Sequence, residues 1–160
     1  MSQNPSSQNP SSTAELDVIE ARIDAFLADQ LADNPAVASV ERDRETGERR
    51  WFVRLLGEQK DVFSVWFWLR QRTLHVETYL MPAPEENLAQ LYEHLLRRNA
   101  KTWPFSLSIG DEDGIYLTAQ VDNSEITDDE LDRLLGAAYE HTERCFRPAM
   151  RIGFASRFGG

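Results

Sequence analysis

The chain has 160 residues, 41% of them hydrophobic and 10% aromatic, enough for one domain with its own apolar core. Its 17 basic and 27 acidic side chains leave a formal net charge of −10, a field opposed to generic nucleic-acid or anionic-membrane binding. A single cysteine, Cys145, excludes an internal disulfide framework and multi-cysteine metal sites; with no apolar run near the roughly 18 residues of a membrane span and no export signal in MSQNPSSQNPSS, a cytoplasmic protein is expected.

Residues 2–6 and 7–11 both read SQNPS, a tandem repeat without apolar side chains, so residues 1–12 are expected to form a disordered tail. A single folded domain is expected over residues 13–146. Ser12 and Glu15 form a capping box for a first helix, which carries Ile19, Ile23, Phe26 and Leu27 at helical spacing and stops near Leu31, ahead of Asn34 and Pro35. A short extended piece near Val40 and a polar turn at residues 45–48 lead into three β-rich runs, at residues 50–56, 62–70 and 73–80. Pro84 suits the first position of a second helix, with Leu88, Leu91, Tyr92, Leu95 and Leu96 as its buried stripe. After Pro104 a hairpin follows: Phe105, Leu107 and Ile109 point inward, then Ile115, Leu117, Ala119 and Val121 return beyond the turn at Asp113 and Gly114. Thr127 and Glu130 cap a last helix, with Leu131, Leu134, Leu135, Ala138, Thr142 and Phe146 on one face and its end near Arg147 and Pro148. The order is α-β-β-β-α-β-β-α, and hairpin-linked strands of this kind imply an α+β fold in which helices pack on an antiparallel sheet.

Side chains alternate between the faces of a sheet, so a turn at Gln71 and Arg72 assigns every residue of the middle hairpin. One face carries Val65 opposite Thr78, Phe67 opposite Val76 and Leu69 opposite Leu74, an ordinary core. The other pairs Ser64 with Tyr79, Trp66 with Glu77 and Trp68 with His75, while Phe52, Arg54 and Leu56 share one face of the preceding strand. Either the second helix or the C-terminal segment covers this aromatic face, or it is a subunit or ligand surface, where Trp, Tyr and Arg concentrate binding energy. The candidate contact residues are Arg54, Trp66, Trp68, His75 and Tyr79.

Catalytic candidates are weaker. His141 and Cys145 stand four apart on a helix, but Cys145 lies on the apolar stripe, where burial opposes a thiolate. His75 and Glu77 lack further metal ligands nearby, and Asp111, Glu112 and Asp113 read as a turn rather than a calcium loop. No phosphate-binding glycine motif or nucleophile elbow occurs, so no enzyme and no cofactor are expected. Residues 147–160 are read as a basic, aromatic C-terminal tail, with Arg147, Arg151 and Arg157 among Met150, Ile152, Phe154 and Phe158; it docks on its own domain or on another subunit.

The order of elements, together with MPAPEEN at 81–87, LLRRNAK at 95–101, IGDEDGIYL at 109–117 and FRPAMRIGFASRF at 146–158, resembles the YbjN-domain family in its actinobacterial form, over roughly residues 14–158. The resemblance implies a fold like that of the type III secretion chaperones, small acidic α+β proteins that usually dimerise and bind an extended segment of a client. YbjN proteins are described as sensory transduction regulators, and the family offers no agreed active site to transfer. The reading that follows is a non-enzymatic interaction module, chaperone-like or regulatory, that binds a protein or peptide segment as a homodimer, and not nucleic acid or membrane. The alternative is a small-molecule-sensing regulator with an apolar pocket between sheet and tail.

Overall fold

A computed structural model of the protein describes residues 9–158. Helix α1 (Thr13–Asp33) opens on the expected capping box: Ser12 Oγ accepts from the Glu15 amide and the Glu15 carboxylate accepts from the Ser12 amide. Four strands follow, β1 (Val37–Arg42), β2 (Arg49–Leu56), β3 (Val62–Leu69) and β4 (Thr73–Met81). The helix α2 (Leu88–Arg98), the hairpin of β5 (Ser106–Ile109) and β6 (Ile115–Asp122), the long helix α3 (Asp128–Gly153) and a final turn of helix, α4 (Ala155–Phe158), complete the chain. The sheet is antiparallel throughout, in the order β1-β2-β3-β4-β6-β5. The fold class is therefore the expected α+β, with one strand more before the second helix: the extended piece near Val40 is a full strand, paired with β2 from Val37 to Arg42.

One apolar cluster joins the helices to a single sheet face. Ile23, Phe26 and Leu27 of α1, Leu91 and Leu95 of α2, and Leu131, Leu134, Leu135, Ala138, Cys145 and Ala149 of α3 pack against alternate residues of β2, β3, β4 and β6. Trp51 is sealed inside, its indole N–H donating to Asp24 Oδ1 at 2.7 Å, so its one polar group is satisfied.

Several expectations are corrected. Helix α2 begins at Leu88, not at Pro84, because residues 84–86 hold the C-terminal segment: the Glu85 and Glu86 amides both donate to the Gly153 carbonyl. Helix α3 runs through Pro148 to Gly153, so the first half of the expected tail is helical. An interior proline costs about 3 kcal/mol or more. Here Pro148 faces solvent, while Ala149 and Gly153 pack inward; a Cβ on Gly153 would stand 3.1 Å from Met81 and Pro84 and 3.2 Å from Leu91. The tertiary contact outweighs the local penalty. Phe154 is buried and Phe158 exposed, and Ser156 and Arg157 bind Glu86 and Glu85, so the C-terminal segment docks on its own domain beside α2. Of the expected N-terminal tail, residues 1–8 lie outside the described residues, and Ser11 is tied to the Gln71 carbonyl and to Asn123.

Candidate interaction surface

The register of the β3–β4 hairpin is the one the alternation predicts: Val65 faces Thr78, Trp66 faces Glu77, Phe67 faces Val76, Trp68 faces His75 and Leu69 faces Leu74. Arg70 and Thr73 close the turn through a backbone hydrogen bond. Trp66, Trp68, His75 and Tyr79 therefore stand on the sheet face opposite the helices, as do Phe52 and Arg54 of β2 and Tyr116 of β6. Among the described residues no helix lines the surface around Trp66 and Trp68, and the described part of the C-terminal segment packs Phe154 into the helix-side core and binds Glu85 and Glu86.

The aromatic groups support one another laterally. Trp66 is 51% exposed and meets Phe52 edge to face at 5.6 Å. The Trp68 ring lies between two guanidinium groups, Arg50 at 4.1 Å and Arg70 at 3.7 Å from its centroid. Tyr79, 42% exposed, meets Tyr116 at 5.3 Å. Arg54, exposed between Ser39 and Ser64 on the neighbouring strands, stands to one side.

His75 is half-buried beside Trp68, and its Nδ1 has no partner among the described residues. Burial pushes its pKa down, Arg70 adds to that, and Glu77, 3.9 Å from Nε2, opposes it. Lys60, from the β2–β3 turn, reaches the other end of the face. Its Nζ donates to the Tyr79 and Leu80 carbonyls at 2.7 and 2.9 Å and lies over the Tyr79 and Phe146 rings, and burial lowers its pKa to about 8. A hollow of about 500 Å³ opens there, lined by Lys60, Trp66, Glu77, Tyr79 and Tyr116, and a smaller one of about 140 Å³ adjoins it at Phe52, Trp68 and His75.

A second apolar surface lies where α2 passes the edge strand β5. Leu91 and Leu95 are buried as expected, but Leu96 is 71% exposed, and Ile109, expected inward, is 52% exposed because α2 covers Leu107 and leaves a groove of about 270 Å³ beyond it. Asn99 occupies the outward backbone of Leu107, accepting from its amide at 2.6 Å and donating to its carbonyl at 3.3 Å. That blocks strand pairing along this edge and leaves side chains as the means of contact. Sequence reasoning missed Lys60, Tyr116 and Trp103, which is 75% exposed under Arg133. Alternation along β6 carries the signal for Tyr116; for Trp103, in a loop, periodicity carries none.

Catalytic arrangements do not form at the positions considered. Cys145 is buried and its thiol pushed up chiefly by desolvation, while His141 turns to the Trp103 carbonyl at 3.4 Å. Among the described residues no group of three or more His, Cys, Asp or Glu is placed to hold a metal ion, and no helix is long and apolar enough to cross a membrane.

The YbjN family model, described as "putative bacterial sensory transduction regulator", matches residues 21–149. The chain belongs to the YbjN family. It is 30% identical over 110 residues to an uncharacterized protein of Mycobacterium leprae, an alignment covering 69% of this chain and 60% of that one. A Mycobacterium tuberculosis protein is 31% identical over 104 residues, covering 65% and 57%. The chain thus spans about three-fifths of the length of these relatives. Its fold is that of a chain in the heterodimeric ExoU-SpcU complex of the Pseudomonas aeruginosa type III secretion system, with a TM-score of 0.56 at 18% identity over 79% of this chain and 96% of the other. It is likewise similar to a chain of the HopA1-SchA chaperone-effector complex, with a TM-score of 0.55 at 14% identity over 87% and 99%. The fold is type III secretion chaperone-like.

Proposed function

We propose that this YbjN protein is a non-enzymatic interaction module that binds a segment of another protein across the open sheet face, in a chaperone-like or regulatory role in the cytoplasm. The observation that carries the reading is the open face itself, with Trp66 half exposed and Trp68 stacked between two arginines, in a fold shared with a chain of a chaperone-effector complex. Large aromatic and arginine side chains clustered without a lid are the composition of binding hot spots. The contact residues are Trp66, Trp68, Tyr79, His75 and Arg54. In affinity purification followed by mass spectrometry, wild-type chain retains specific partners, and the doubly substituted Trp66→Ala, Trp68→Ala chain folds but loses them. An unchanged partner set would refute the assignment.

The same reading includes a homodimer formed through α2 and β5, because exposed Leu96 and Ile109 flank an apolar groove whose backbone edge is already closed by Asn99. Light scattering of the wild-type chain then gives twice 18.4 kDa, and Leu96→Asp with Ile109→Asp gives the monomer mass. A wild-type mass of 18.4 kDa at micromolar concentration would reject the dimer.

A further inference from the structure

Resting on the open-face reading above, we propose that the bound protein segment presents an acidic side chain next to a large apolar one, the carboxylate meeting Lys60 and the apolar group filling the hollow between Trp66, Tyr79 and Tyr116. Charge complementarity carries this step. The chain has ten more acids than bases, and seven of its 15 arginines find a carboxylate: Arg42, Arg49, Arg50, Arg97, Arg133, Arg144 and Arg157 each pair with Asp or Glu. Lys60 does not. No described carboxylate comes within 4.0 Å of its Nζ, which spends two donors on the Tyr79 and Leu80 carbonyls and leaves the third unassigned.

A half-buried ammonium held by neutral partners is a favourable place for an incoming carboxylate, since a charge-assisted hydrogen bond gains strength where water is partly excluded. Glu77, also lining the hollow, disfavours a carboxylate near itself, and this fixes the polarity: acid toward Lys60, apolar group toward Trp66. The shape selects a chain segment over a free small molecule. The hollow is open to solvent and continues, through shared Trp66 and Glu77, into the smaller one at Phe52 and Trp68, making a trough along the strands rather than an enclosure.

The test is selection of a random-sequence peptide library displayed on phage against the full chain as wild type, Lys60→Arg, Lys60→Gln and Trp66→Ala, each checked for folding by circular dichroism. Wild type and Lys60→Arg should enrich peptides with Asp or Glu beside Leu, Phe, Tyr or Trp. A selected peptide should lose about tenfold in affinity on Lys60→Gln, and the same when its acid is replaced by the amide, without further loss when both changes combine. If Lys60→Gln fails to fold, the acid-to-amide change read on wild-type chain decides alone. Peptides that need Trp66 but show no preference for acid overturn this inference and leave the open-face reading standing. Peptides indifferent to Trp66→Ala overturn the reading itself. Saturable binding of free phenylacetate, with no peptide enriched, would replace the protein segment by a small carboxylate.

Discussion

Trp51 and Phe52 are neighbours on strand β2 and belong to different environments. Trp51 is sealed beneath α1, its N–H held by Asp24, whereas Phe52 faces outward and leans on Trp66. The same division runs through β3, where Phe67 is fully buried between a half-exposed Trp66 and an arginine-stacked Trp68. One face of the sheet is stabilised by the helices above it. The other keeps its aromatic groups in place by contacts within the sheet plane, so they are ordered and still accessible. Aromatic content alone therefore says little about role; what matters is whether a second layer covers the ring.

Breaking the covered side should have the largest effect. Trp51→Ala empties a packed site and takes one hydrogen bond from Asp24, which keeps its ion pair with Arg42, and the expected cost is about 3–5 kcal/mol, read as a large fall in the urea midpoint or outright failure to fold. An equal cost for Trp66→Ala would erase the contrast between the faces.

The His75 pocket sharpens the comparison through pH. Burial lowers the folded-state pKa below the ordinary 6.5, so between those values the unfolded chain binds more protons. Stability contributed by neutral His75 is thus present above about 6.5 and lost as pH falls below it. Protonation would also place a second N–H on the ring whose Nδ1 is already unpartnered, among Arg50, Arg70, Glu77 and Trp68. Urea midpoints at about pH 7.5 and about pH 5.5 should differ more for wild type than for His75→Gln. An identical pH dependence in the variant would show that His75 does not titrate with folding.

Smaller effects follow on the open face. Arg70→Ala removes one of the two cations on Trp68 and should cost about 0.5–1 kcal/mol, with a change in tryptophan fluorescence as the ring gains solvent. Trp66→Ala should be the mildest of these changes, under about 1 kcal/mol, since half of the ring is already in water.

Period-two alternation made both faces legible from residues alone, because a single turn, at Gln71 and Arg72, determines the facing of β3 and of β4 as far as Leu80; at Met81, buried beside buried Leu80, a register shift breaks the alternation. The capping box at Ser12 and the N-cap at Thr127, whose hydroxyl accepts from the Glu130 amide, likewise carried their helix starts into the structure. What local pattern could not show was decided by tertiary contact. Pro148 reads as a helix stop, yet packing of Ala149 and Gly153 carries α3 onward. Pro84, Glu85 and Glu86 read as a helix opening, yet they hold the C-terminal segment. Ile109 follows the inward alternation of its strand, but it lies at the groove beside α2 and stays half exposed. Lys60 is invisible to periodicity, since its place depends on a turn folding over the end of β4.

Replacement of Trp66 by the photo-reactive p-benzoylphenylalanine, in the full chain in its native cell, tests the central claim most directly, with the more exposed Val18 on α1 as the control position. Irradiation should join position 66, and not position 18, to a second protein, through a peptide that mass spectrometry can read. Absence of any adduct at position 66, or the same adducts at both positions, would contradict the account.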